Sequence, residues 1–106
     1  MSTYTRTKIG NDLLVQITMS SSEGHTLERV DWECDFFTNG AHIISIPKKK
    51  AHKIDENTYL CPLSTTSFEE GVLHGALKAQ IPNAYFEDGY KTEISEFEVE
   101  KIYLSE

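Results

Sequence analysis

Nucleophilic chemistry needs a Ser or Cys held beside a base, and this chain offers two thiols, Cys34 and Cys61, and four histidines, His25, His42, His52 and His74. Each cysteine alternates in phase with apolar neighbours, which reads as a buried free thiol rather than a reactive one. A disulfide between them stays open if their strands face each other, although nothing in the sequence indicates an oxidising compartment. No G-x-S-x-G elbow and no cysteine-protease signature is present. The histidines are spread along the chain with no close Cys or His spacing, so there is no zinc pattern, and neither a metal nor another cofactor is expected. The glycines punctuate turns, Gly75 excepted, and build no phosphate-cradling loop. The chain therefore reads as non-enzymatic, with no catalytic residue.

Two further groups have chemistry to offer. Glu96, Glu98 and Glu100, with Glu93 nearby, suggest a calcium site or a glycosidase pair, but carboxylates two apart on a strand repel one another and calcium loops draw on backbone carbonyls of an irregular turn. They read instead as a charged strand that protects a sheet edge. Tyr85, Phe86 and Tyr90 flank the acidic turn Glu87-Asp88-Gly89 and are the candidate binding residues. Such an aromatic trio serves as an anchor in a protein partner, or as a platform on which a sugar stacks; the plainer alternative is that one or two of the rings fold back over the end of the domain.

Charge narrows the partners. Seventeen acidic residues against ten basic ones give a formal charge of -7, which repels phosphate backbones, so no nucleic acid is expected. The one basic run, Lys48-Lys49-Lys50 with His52 and Lys53, reads as a solvated turn between two strands. The amino terminus lacks the apolar stretch of a signal peptide, and no window approaches the roughly 20 apolar residues of a membrane span. Synthesis in the cytoplasm without a membrane partner is the expectation.

What must position these residues is a set of strands. At 106 residues the chain supports one core, hence one domain over 1–106, and its 39% hydrophobic and 25% charged content is that of a globular protein. Leu13, Val15, Ile17 and Met19 alternate with polar or unlike neighbours, as do Val30, Trp32, Cys34 and Phe36, and then Tyr59, Cys61 and Leu63. The run Ser20 to Gly24 ends the first of these, and Pro62 predicts a short or edge strand for the third. Asn39-Gly40 signals a hairpin. A two-residue turn sets Asp35 against Ile44, so a three-residue loop Thr38-Asn39-Gly40 that pairs Cys34 with Ile44 and Trp32 with Ile46 is expected.

Ser64 to Glu70 is a connection with room for one helical turn, and Gly71 closes it. Leu73, Gly75, Leu77, Ala79 and Ile81 then form the inward row of a strand whose small members leave room for Trp32. Pro82 to Gly89 is a loop, and Tyr90 to Leu104 a last strand whose apolar phase switches, predicting a bulge or bend. No helical period is present. The class is all-β, a two-layer sandwich.

Ile9-Gly-Asn-Asp-Leu-Leu-Val-Gln-Ile17, the Gly24 turn, the Val30 to Phe37 strand, Thr58-Tyr-Leu-Cys-Pro-Leu-Ser64 and the Gly71 to Ile94 segment, in this order, resemble the immunoglobulin-like domain at the amino terminus of phage baseplate upper proteins and related short prophage proteins. The resemblance covers nearly the whole chain. It implies an immunoglobulin-like β-sandwich and a non-enzymatic structural role in a tail or baseplate, with association with the virion, through a protein partner or self-association. Members of that family continue into coiled or receptor-binding regions, whereas this sequence stops at Glu106, which implies a small adaptor or decoration module. The alternative function is a small carbohydrate-binding sandwich that uses the aromatic loop.

Overall fold

The computed structural model describes residues 4–19, 24–39 and 41–106. It is all-β: β1 (Thr5–Lys8), β2 (Asp12–Thr18), β3 (Asp31–Thr38), β4 (Ala41–Pro47), a single 3-10 turn over Lys48–Lys50, β5 (His52–Asp55), β6 (Thr58–Ser64), β7 (Gly71–Pro82) and β8 (Tyr90–Ser105). The strands form two sheets, β1-β8-β7-β3-β4 and β2-β6-β5, packed as a sandwich about one core.

Alternation decides which residues enter that core. Val15 and Ile17 of β2 and Tyr59, Cys61 and Leu63 of β6 face Trp32, Cys34 and Phe36 of β3 and Leu73, Leu77, Ala79 and Ile81 of β7, all buried. Trp32 meets Tyr59 edge-on, with ring centroids 5.2 Å apart, across the two sheets. The Trp32 indole N–H donates to the Leu27 carbonyl at 3.1 Å, so its one polar atom is satisfied in the interior. Thr65, also buried, donates to the Asn11 carbonyl at 2.7 Å and accepts from the Gly10 N–H at 2.8 Å. That hydroxyl ties the β1–β2 connection to the β6–β7 connection, which turns between Thr65 and Phe68 without forming a helix.

Four expectations need correction. Trp32 does pair with a small member of the β7 row, Ala79, but the space at Gly75 is filled by Phe97, the cross-strand partner of that glycine. At the β3–β4 hairpin Thr38 pairs with Ala41, Phe36 with Ile44 and Cys34 with Ile46. The apolar rows are kept together, as the three-residue loop was meant to do, but by a register shift between Phe36 and Thr38. Gly40 itself, like residues 20–23 of the polar run after β2, lies outside the described residues.

β6 is the centre of its sheet rather than an edge. β5 covers it only from Thr58 to Leu60, so beside Pro62 it has β2 alone, and Pro is tolerated there. Finally, Glu100 and Lys101 have φ of 42° and 53°, so Glu100 does not continue the face of Glu96 and Glu98. These two residues form the expected bulge of β8: His74 pairs with Glu98 whereas Val72 pairs with Tyr103, and the extra residues move Val99 and Leu104 both inward.

Candidate protein-contact surface

Tyr85, Phe86 and Tyr90 come together on the loop that joins β7 to β8. Pro82 pairs with Tyr90 at its base, and the Asn83 N–H donates to the Gly89 carbonyl at 2.8 Å. Inside it, Phe86 N–H donates to the Asn83 carbonyl at 3.3 Å and Gly89 N–H to the Phe86 carbonyl at 2.9 Å. Two side chains brace the turn further: Asn83 Oδ1 accepts from the Tyr85 N–H at 2.9 Å, and Asp88 Oδ1 from the Tyr90 N–H at 3.0 Å. Gly89, at φ 83°, takes the left-handed step that returns the chain to β8. The backbone is held, while Tyr85 is 98% exposed and Phe86 and Tyr90 are about half exposed, at 48% and 49%. No ring of the trio is buried over the end of the sandwich.

The strand that leaves this loop is open on one side. β1 runs parallel to β8 but pairs only with Ile102 to Ser105, so Tyr90 to Val99 has β7 as its one neighbour among the described residues. Along this stretch Glu93, Glu96 and Glu98 are exposed, as the reading of a charged edge requires, and Ile94 is exposed with them. Lys91 pairs with Glu93 at 2.8 Å, and the Tyr4 hydroxyl donates to Glu98 at 3.2 Å.

The opposite side of the same sheet ends in β4 and the basic turn. Lys48 Nζ donates to the Glu28 and Val30 carbonyls at 2.7 and 2.9 Å, anchoring the turn, while Lys49 and Lys50 are exposed. Lys53 binds Glu28 at 2.6 Å; this hydrogen bond raises the Lys53 ammonium and lowers the Glu28 carboxyl from their ordinary ranges.

Elsewhere the geometry offers little chemistry. Burial pushes the Cys61 thiol up to about 11 and the Cys34 thiol higher, the latter helped by the nearness of Cys61 and Asp35. Both are free. A cleft of about 290 Å³ between β2 and β8, lined in part by Ile17, Met19, Leu77, Glu96 and Phe97, contains no histidine. His74 stacks on Phe37 at 5.7 Å, and His52 is exposed on β5. Among the described residues no three His, Cys, Asp or Glu side chains converge on a point, and no helix is long and apolar enough to cross a membrane.

The sequence signals found the loop and the charged edge strand beside it, but not that β1 pairs with β8 only at Ile102 to Ser105. Comparisons of the chain with family models, with curated proteins and with solved structures find no match.

Proposed function

We propose that the protein is a non-enzymatic structural or adaptor module of a phage- or prophage-derived tail or baseplate assembly, and that it engages a protein partner through the Tyr85–Phe86 loop and the adjoining β8 edge. The observation that carries the binding part is Tyr85: a large aromatic ring, 98% exposed, on a loop whose backbone is fixed by its own hydrogen bonds. An anchor already held in position loses little entropy on docking. The immunoglobulin-like part is supported by strand order. β8-β7-β3-β4 opposite β2-β6-β5 is the order in which strands G, F, C and C′ oppose B, E and D in that fold. The tail or baseplate setting rests on the sequence resemblance.

The test is a solution-mass measurement of the protein with each morphogenesis product encoded beside it. A stoichiometric complex that a Tyr85→Ala, Phe86→Ala variant no longer forms supports the reading. Failure to engage any of these products counts against it, and glycan-array binding that the same variant loses would replace it with the carbohydrate-binding alternative.

A further inference from the structure

We propose that copies of this chain associate head to tail, the open β8 edge of one copy taking the β4 edge of the next while the β7–β8 loop receives the next copy's Lys48–Lys50 turn. The proposal names a partner for the surface already proposed to bind protein, and rests on that reading.

Strand direction permits it. The β8·β7, β7·β3 and β3·β4 pairs are all antiparallel, so β8 and β3 run one way and β7 and β4 the other. A second copy set alongside with its sheet in continuation therefore brings its β4 antiparallel to β8, the pairing that is slightly the more stable per residue. β4, with 7 residues, is shorter than the Tyr90 to Val99 opening and fits within it.

Side chains specify the register. Ile43 of β4 and Ile94 of β8 both point away from the core and are 58% and 59% exposed. Setting them opposite each other buries both and stands Pro47 against Tyr90. It also carries Lys48, Lys49 and Lys50 level with Glu87 and Asp88, because the basic turn and the loop lie at the same end of the sandwich: Pro47 pairs with Glu33 and Gln80 with Asp31, both at the start of β3, and Tyr90 pairs with Pro82. The two exposed cations, Lys49 and Lys50, thus meet two carboxylates and exposed aromatic faces, Lys48 being held by the Glu28 and Val30 carbonyls. The symmetric alternative, β8 against β8 about Phe97, sets Glu96 of each copy opposite Glu98 of the other and is opposed by like charge. Since the two matching surfaces sit on opposite edges of one sheet, the contact is heterologous and does not close at two copies.

Sedimentation velocity on the intact chain at low and high salt tests this, using two variants, Glu87→Lys/Asp88→Asn and Lys49→Glu/Lys50→Glu. All four positions are exposed, and circular dichroism is used to check that each variant folds; Lys49→Glu alone, which still reverses a charge of the turn, replaces the second variant if it does not. The wild type is expected to gain mass with concentration beyond the dimer, and to return to monomer near 1 M salt, where the screening length falls to about 3 Å. Each variant alone is expected to stay monomeric, and the equimolar mixture to recover the association, because the reversed loop of one matches the reversed turn of the other. A wild type that is monomeric at every concentration, a mass that stops at dimer, or a mixture that fails to recover overturns the proposal. A monomeric wild type leaves the binding-module reading to its own test, since an exposed loop can still engage a different protein.

Discussion

Phe97 occupies the space that a side chain at Gly75 would need: a Cβ placed on Gly75 would lie 2.5 Å from the Phe97 ring. Gly75 is buried in the middle of β7, where it pairs with Phe36 on one side and Phe97 on the other, so the residue without a side chain lies between two large rings. A glycine inside a strand is costly to order, and here the close approach of an aromatic ring explains it.

Gly75→Ala is therefore expected to destabilise the protein by about 1 to 3 kcal/mol through overpacking, measured as a lower denaturant midpoint at unchanged slope. Adding Phe97→Leu to that variant should restore part of the loss. Equal stability of Gly75→Ala and wild type would contradict the packing described.

How much of this was legible beforehand depends on whether a residue's role leaves a local trace. β2, β3, β6 and β7 each bury one face, so Val15, Cys34, Cys61 and Leu77 stand in period-two rows that the sequence displays. β1 and β5 have almost no buried face, all four residues of β5 being exposed, and nothing in Thr5–Lys8 or His52–Asp55 signals a strand. β1 pairs with a distant partner, Ile102 to Ser105, whereas β5 pairs with Thr58 to Leu60 just across the Glu56-Asn57 turn and was missed for want of a buried face. The aromatic loop was visible through Pro82, Asn83 and Asp88-Gly89, whose turn chemistry is local. The contact between Phe97 and Gly75 was not, because cross-strand register is a property of the folded sheet.

The bulge of β8 stores backbone strain, since Glu100 and Lys101 both hold the left-handed conformation that costs an ordinary residue roughly 1 to 2 kcal/mol. Lys101→Gly should relieve part of this and raise the melting temperature by a few degrees, at about 4 to 8 °C per kcal/mol for a domain of this size. A lowered melting temperature would mean that Lys101 makes contacts worth more than its strain.

The two buried thiols predict an alkaline loss of stability. A group whose proton is held more tightly in the folded state contributes its full share below the unfolded value, near 8.5, and loses that share as pH rises toward the folded value. For Cys61 the window runs from about 8.5 to about 11, with a slope approaching 1.4 kcal/mol per pH unit, and for Cys34 it continues higher. Unfolding measured across this range should lose stability less steeply in a Cys61→Ala variant than in wild type. At neutral pH both thiols should react with a thiol reagent only as fast as the protein unfolds; rapid labelling of the folded protein would contradict their burial.

Tyr85 separates binding from folding. With its side chain almost wholly in solvent, Tyr85→Ala is expected to change stability by no more than about 0.5 kcal/mol in either direction, while abolishing association. A large loss of stability would instead make the ring a structural cap.

Amide hydrogen exchange on the protein in its complex, with a partner or with its own copies, against the dilute free chain, shows whether the β7–β8 loop and the edge of β8 form the contact surface. Peptides spanning Asn83 to Glu98 are expected to exchange more slowly on association. Association that leaves this segment unprotected, with protection confined to β2 or β6, would contradict that surface.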